Sequence, residues 1–242
     1  MPGLGQVSRV GLGTWQFGSR EWGYGEGYAS GVAAEIVARA FELGVTLFMP
    51  GMRSLLQDGR IGAVGVSNYS LQRWHKADDA LGQPVVSNQV QFSLAHAGPL
   101  EDLVPFAQRE NRMVIAYSPL AQGLLGGKYS EDNRPGGVRA ANPLFGSENL
   151  RRVAPMLDTL RQVADAHHTT PSQVALAWLL SLPQVVVIPG ASSVEQLELN
   201  VAAADLDLDT ESQVALTKAA TAFTPISATR TLLDALKARS RS

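Results

Sequence analysis

Short, almost wholly apolar runs alternate with amphipathic helical patterns along most of this chain. Six runs fit buried strands: "VSRVGLG", "GVTLF", "IGAVGVSN", "PVVSNQVQF", "MVIAYSP" and "QVVVIPG". Apolar strands that alternate with helices are typical of a parallel sheet that is covered on both faces. The chain lacks the Gly-x-Gly-x-x-Gly turn of a doubly wound dinucleotide fold, so the pattern favours a (β/α) barrel. Such a barrel has eight strands, and this chain supplies about six.

Helices are predicted between and after these strands. Their segments are "GVAAEIVARAFEL", "SLQRWHKADDAL", "LEDLVPFAQREN", "SENLRRVAPMLDTLRQVADAHH", "TPSQVALAWLLSLP" and "SSVEQLELNVAAA". Ser147 fits the N-cap of the fourth helix, and Pro171 fits the first position of the fifth. The Gly- and Pro-rich stretch from Leu120 to Ser147 predicts a loop, with 133–143 as its most mobile part. No repeat or linker divides the chain, so we predict a single domain over residues 1–242.

Composition excludes several function classes. The net charge of −2 gives no electrostatic reason to bind nucleic acid or an anionic membrane. The absence of cysteine excludes disulfides, thiolate metal sites and thiol catalysis, and we predict no metal site. No segment has the pattern of a signal peptide or approaches the ~20 apolar residues of a membrane helix, so we expect a cytoplasmic protein. His75, Lys76 and His96 are interpreted as surface residues, and His167 and His168 as exposed residues that cap a helix end.

Function in a (β/α) barrel resides where the strands end, and five strand ends carry distinctive motifs. They are "GLGTW" (11–15), "GVSNYS" (65–70), "SNQVQFS" (87–93), "AYSPLAQGLL" (116–125) and "IPGASSVEQLELN" (188–200). In this order the set resembles the aldo-keto reductases, most closely their bacterial and plant-like branch. The resemblance spans nearly the whole chain. It implies a (β/α)8 TIM barrel and NADP-dependent interconversion of small carbonyl and alcohol substrates, and it leaves the oligomeric state open.

The resemblance assigns roles to residues around the nicotinamide. Ser67, Asn68 and Gln89 match the residues that bind the carboxamide, Tyr117 matches the aromatic residue that stacks on the ring, and Trp15 matches a wall of the substrate pocket. Each assignment has a plainer alternative. The polar side chains would satisfy backbone groups at strand ends, and Tyr117 and Trp15 would be packing residues.

Two further segments match the binding sites for the phosphates. The pyrophosphate loop contains Ser118, Leu120, Gln122 and Gly123. The segment for the adenosine 2′-phosphate and adenine contains Gly190, Ala191, Ser192, Ser193, Gln196 and Asn200. This second segment has no Lys or Arg, and charge-assisted contacts to phosphate are the stronger kind. We therefore expect NADP(H) with a modest preference, and NAD(H) as a possible cofactor.

The segment "GVTLFMPGMRSLL" (44–56) joins two family segments that are normally far apart. The resemblance implies a tetrad of Asp, Tyr, Lys and His, with the aspartate directly after "GVTLF", where Met49 stands. None of the four is present, and about 80 residues are missing at ~30–40 per βα unit. Three explanations stay open: an internal deletion, a protein that has lost catalysis and kept a nicotinamide-binding or regulatory role, or a polypeptide that contains a segment this sequence lacks. Without the tetrad we expect no turnover.

Overall fold

The described residues contain a four-stranded parallel sheet. The computed structural model describes residues 62–226, together with Leu56. The strands are β1 (Gly65–Ser67), β2 (Ser87–Gln91), β3 (Met113–Tyr117) and β4 (Val185–Val187), and they lie in chain order. Sequential parallel strands without a reversal of order are typical of a barrel and not of a doubly wound sheet. The predicted strands "VSRVGLG" and "GVTLF" lie outside the described residues.

The sheet belongs to the first of two compact units, which covers the described residues 62–91, 99–118 and 182–201. Helix α1 (Leu71–Leu81) begins after Ser70, whose Oγ accepts a hydrogen bond from the Arg73 N–H, and it ends at Gly82. Gly82 has φ +73°, a left-handed conformation that glycine adopts without a Cβ clash. Both ends of the predicted helix are thus fixed by local chemistry.

Aromatic packing forms the core of this unit. Trp74 of α1 and Phe106 of α2 (Leu103–Arg109) are almost fully buried, and their ring centroids lie 5.1 Å apart in an edge-to-face arrangement. The Trp74 indole N–H donates to the Val85 carbonyl at 2.9 Å. The Arg112 guanidinium lies 4.9 Å from the Phe106 ring and forms a 2.6 Å ion pair with Asp78. Helix α5 (Val194–Ala202) follows β4 and completes the unit.

The second unit covers the described residues 92–98, 119–181 and 202–226 and is mainly helical. Its helices are α3 (Ser147–Ala166), α4 (Pro171–Leu180) and α6 (Thr210–Ala222). Helix α4 begins as predicted with Pro171 at its first position, and Thr170 and Gln173 form a capping box. Trp178 of α4 is buried against Phe92, with ring centroids 5.8 Å apart.

Three predictions for this unit need correction. Ser147 is the first residue of α3 and Gly146 is the N-cap, because the Ser147 Oγ accepts a hydrogen bond from Arg134 instead of capping the helix. The stretch predicted as loop contains 3-10 turns at Ala121–Gly126, Gly137–Ala141 and Pro143–Phe145, with Phe145 buried. Helix α6 was not predicted at all.

Candidate cofactor-binding site

Three predicted residues lie together where β1 and β2 run side by side. Ser67 pairs in register with Gln89, and the Ser67 Oγ donates to the Gln89 carbonyl at 3.1 Å. The next backbone N–H, that of Asn68, donates to the same carbonyl at 2.8 Å. Asn68 is exposed, with φ +58°, and the side chain of Gln89 is half-buried. The residues that carry these two amides and one hydroxyl, Asn68, Gln89 and Ser67, are therefore neighbours where β1 ends beside β2.

Asn88 is a residue of this region that the sequence analysis missed. It is fully buried, its Nδ2 donates to the Tyr69 carbonyl at 2.8 Å, and its Oδ1 accepts from the Tyr69 N–H at 3.3 Å. These two bonds hold the chain directly after Asn68. The strand SNQVQ gave no local clue, because its other residues are also mostly polar; Asn88 is buried because it lies between Val66 and Val114 of the neighbouring strands, and a buried amide needs partners.

Tyr117 ends β3 and lies on the same face of the sheet as Gln89. Gln89 pairs in register with Ile115, two residues before Tyr117, and alternate residues of a strand share a face. The tyrosine ring is half-buried, and Ser118, directly after it, has φ +49°. The sheet thus brings Ser67, Gln89 and the predicted stacking residue Tyr117 to one face, with Ser67 and Tyr117 at the carboxyl ends of their strands.

The segment after β4 also belongs to the first unit, and its polar groups bond to one another. The Ser192 N–H and Oγ both donate to the Gln196 Oε1, at 2.7 and 2.9 Å, and the Gln196 N–H donates to the Ser193 Oγ at 3.1 Å. Asn200 is buried, and its Nδ2 lies 3.4 Å from the Gly190 carbonyl. A Cβ added at Gly190 would meet no atom within 4 Å, so the backbone there is open to close approach.

Residues 120–123 of the predicted pyrophosphate loop lie in the second unit and have an unusual backbone. Ala121, Gln122 and Gly123 have φ of 48°, 57° and 92°, and the Leu120 carbonyl accepts from the Gly123 N–H at 2.9 Å. A non-glycine residue in this region costs on the order of 1 kcal/mol. Such strain is commonly found at ligand-binding segments.

The histidines lie elsewhere, and two interpretations of them need correction. His96 is not a plain surface residue, because its Nδ1 is buried without a hydrogen-bond partner and burial lowers the pKa of its imidazole. His167 caps the end of α3 as predicted, but its side chain is only 17% exposed and its Nε2 lies 3.3 Å from an Asp209 oxygen. His75 and His168 are exposed as predicted.

Other predictions can be tested in part. Trp15 lies outside the described residues. Among residues 62–226, no cluster of three or more His, Cys, Asp or Glu side chains is arranged to hold a metal ion. No helix of the described part is both long enough and apolar enough to span a membrane.

The grouped residues fit the chemistry of a nicotinamide nucleotide. Amide and hydroxyl groups suit a carboxamide, an aromatic ring at a strand end suits a planar heterocycle, and an open, glycine-containing segment before a helix suits a phosphate. Ser67, Gln89 and Tyr117 lie on one face of the sheet, and Asn68 follows Ser67 directly.

Comparisons with known proteins identify the family of the chain. Residues 48–221 match the model of the Aldo/keto reductase family. An uncharacterized oxidoreductase of Mycobacterium tuberculosis is 54% identical over 310 aligned positions, which cover 97% of this chain and 96% of the relative. The NADH-specific methylglyoxal reductase of Escherichia coli is 30% identical over 158 positions, covering 65% of this chain and 48% of the relative.

A solved structure shows the fold. The glycerol dehydrogenase of Gluconobacter oxydans superimposes with a TM-score of 0.70 at 20% identity, covering 94% of this chain and 96% of that protein. The neighbours of this kind are aldo-keto reductases with a TIM barrel, so the fold predicted from the strand pattern is confirmed, with the described residues contributing four of its strands.

Proposed function

Because this chain belongs to the aldo/keto reductase family of oxidoreductases, we propose that it carries the nicotinamide-binding part of a reductase that converts small aldehydes or ketones to alcohols. The placement of Ser67, Gln89 and Tyr117 on one face of the sheet, with Asn68 directly after Ser67, is the observation that supports this proposal most. When bound, the nicotinamide exchanges a hydride with the carbonyl carbon of the substrate.

The residues of this chain bind and orient the nucleotide. The amides of Asn68 and Gln89 hold the carboxamide and thereby fix the rotation of the ring. Asn88 supports this arrangement by holding the Tyr69 backbone. The Tyr117 ring covers one face of the nicotinamide, so that only the other face is presented to the substrate.

We propose NADP(H) as the cofactor, with only a modest preference over NAD(H). Between Gly190 and Asn200 there is no Lys or Arg, while Glu195 and Glu198 are acidic. Carboxylates near a 2′-phosphate oppose its binding, and backbone N–H groups at the start of α5 favour it. The Escherichia coli relative, by its name, is specific for NADH, so the relatives of this chain include an NADH-specific enzyme.

We propose further that the catalytic tetrad belongs to a segment that this sequence lacks between Phe48 and Met49. The alignment with the Mycobacterium tuberculosis relative supports this, because 97% of 242 residues is about 235, which leaves about 75 of the 310 aligned positions without a residue here. The sequence pattern independently suggests a loss of about 80 residues at ~30–40 per βα unit. Without a proton donor for the developing alkoxide, the 242-residue chain would bind the nucleotide and not turn over.

A second candidate is a catalytically inactive nicotinamide-binding or regulatory protein. The observation that favours it is the presence of all the proposed nicotinamide-binding residues, from Ser67 to Asn200, in a chain without the tetrad. The intact mass separates the two. A mass of 25.8 kDa shows that the polypeptide lacks the segment, whereas about 75 further residues at the mean residue mass of this chain would add about 8 kDa.

Tyr117 offers the direct test of the binding site. Tyr117→Ala removes the stacking ring and should weaken NADPH binding by roughly 1 kcal/mol, about fivefold in Kd. Tyr117→Phe keeps the ring and should bind like the parent chain. Titration of nicotinamide fluorescence measures both variants. If the Ala variant keeps the affinity of the parent, Tyr117 does not contact the ring and the proposed site is wrong.

A further inference from the structure

Asn142 joins two segments of the second unit through its side chain. Its Nδ2 donates to the Gln122 Oε1 at 3.1 Å, and its Oδ1 accepts from the Leu144 N–H at 2.9 Å. The first bond reaches across 20 residues to the proposed pyrophosphate loop. The second is local and caps the 3-10 turn Pro143–Phe145. One side chain therefore has a long-range and a local function that can be separated.

The Asn142 segment is itself firmly held. The Asn142 N–H donates to the Arg139 carbonyl at 3.0 Å. Asn149 of α3 is 3% exposed, and its Nδ2 donates to the Pro143 carbonyl at 2.8 Å. Leu144, in the same turn, is buried. The anchor of Asn142 is thus fixed by buried contacts, whereas its partner Gln122 is exposed and lies in a strained loop.

A strained loop needs such an external contact to keep its conformation. Gln122 has φ +57° between Ala121 at +48° and Gly123 at +92°. Residues in this region persist when the surrounding structure holds them. Among the described residues, the bond from Asn142 is the hydrogen bond made by the Gln122 side chain.

We propose that Asn142 is a positioning residue for nucleotide binding, which acts through Gln122 by holding the 120–123 loop in the conformation that receives the pyrophosphate. This inference rests on the proposed function, since that function makes the loop a phosphate site. Asn142 need not touch the nucleotide. Its contribution is to hold the loop before the ligand arrives, and preorganised sites bind more tightly.

The test separates the two bonds of Asn142. Serine retains a capping oxygen but is too short to reach Gln122, so Asn142→Ser should keep the turn and lose the long-range bond. We expect it to raise the Kd for NADPH roughly three- to tenfold, the range that one neutral hydrogen bond provides. Gln122→Ala and the double variant Asn142→Ser/Gln122→Ala complete a double-mutant cycle. If Asn142 acts through Gln122, adding Asn142→Ser to Gln122→Ala changes nothing further.

Asn111→Ser is the matched control. Asn111 also forms an amide–amide bond with a glutamine, its Oδ1 accepting from the Gln184 Nε2 at 2.8 Å, but it precedes β3 at the amino end of the strand. Its loss should lower the melting temperature without changing the Kd for NADPH. An unchanged Kd in Asn142→Ser, or an equal loss in the parent and the Gln122→Ala background, overturns the proposal.

A second readout distinguishes this proposal from the proposed function. Lys128 and Arg139 are exposed trypsin sites between the two bonded residues, and Asn142→Ser should be cleaved there faster than Asn111→Ser in the absence of nucleotide. If the parent chain binds no NADPH, the proposed function fails, and cleavage alone decides whether Asn142 holds the loop. Faster cleavage then supports that role, and equal cleavage refutes it.

Discussion

Asn149 gives the sharpest stability prediction. Its side chain donates to the Pro143 carbonyl at 2.8 Å and to the Ile226 carbonyl at 3.0 Å, and it accepts from the Ile226 N–H at 2.8 Å. Asn149→Ala removes all three bonds while leaving the helix intact, because alanine is a good helix former. The variant therefore measures one anchoring point between α3 and the segment after α6.

The expected loss follows from where the partners lie. A hydrogen bond contributes about 1 kcal/mol net, and a fully buried group left without a partner costs about 1–3 kcal/mol. Pro143 is exposed and Ile226 is half-buried, so water replaces part of what is lost. The cost per lost bond therefore lies at the lower end of these ranges, and we expect Asn149→Ala to lower the free energy of unfolding by about 2 kcal/mol in total. In a chain of this size that corresponds to a fall of about 4–8 °C in Tm.

Urea denaturation followed by circular dichroism measures this change. The matched background is a chain that ends at Pro225, where both bonds to Ile226 are already absent. There Asn149→Ala removes only the bond to Pro143 and should cost about 1 kcal/mol. A loss below about 0.5 kcal/mol in the full chain, or the same loss in both backgrounds, would refute the reasoning.

Two other predictions concern the phosphate segment and pH. Gly190→Ala places a methyl group where no protein atom lies within 4 Å, as does the control Gly98→Ala, so neither should destabilise the fold. Only Gly190→Ala should weaken NADPH binding, because its methyl group would crowd the phosphate; overpacking of this kind corresponds to a roughly tenfold higher Kd. If calorimetry gives the same Kd for Gly190→Ala and the parent chain, the phosphate binds elsewhere. Burial lowers the pKa of His96 from 6.5, so below pH 6.5 the unfolded chain takes up a proton more readily than the folded chain. The free energy of unfolding should therefore decrease as the pH is lowered below 6.5. His96→Asn should reduce this dependence in urea titrations at several pH values; the same slope in His96→Asn and the parent chain would contradict the burial of His96.

The elements that the sequence predicted well are those fixed by local chemistry. Helix α4 has proline at its first position and a Thr170–Gln173 capping box, and all these residues lie within four positions of one another. Strand positions followed from apolar runs, whereas Ser67 and Gln89 were singled out by the resemblance and their roles stay predictions. The parallel register then placed these two side by side, as a barrel predicts.

The features that were missed depend on contacts between distant residues. Helix α6 buries Ser212, Leu216 and Ala220, of which only Leu216 is a large apolar residue, so its pattern is weak. The support that Asn88 gives to Tyr69 spans 19 residues, and the bond from Asn142 to Gln122 spans 20. His96 looked like a surface residue because the burial of its Nδ1 comes from packing that no local pattern shows.

Inserting the absent segment between Phe48 and Met49 tests whether this chain binds the nucleotide while the absent segment supplies the catalytic residues. We expect a chain that carries about 75 residues of the Mycobacterium tuberculosis relative between Phe48 and Met49 to oxidise NADPH with short aldehydes or ketones, while the 242-residue chain binds NADPH without turnover. The reason is that hydride transfer to a carbonyl needs a proton donor, which the resemblance assigns to the absent segment. Added strands should also stabilise the sheet by covering the edge at β1, which pairs only with β2 among the described strands. Turnover by the 242-residue chain would show that a proton donor lies among its own residues, and a restored chain that binds NADPH but remains inactive would favour the regulatory alternative.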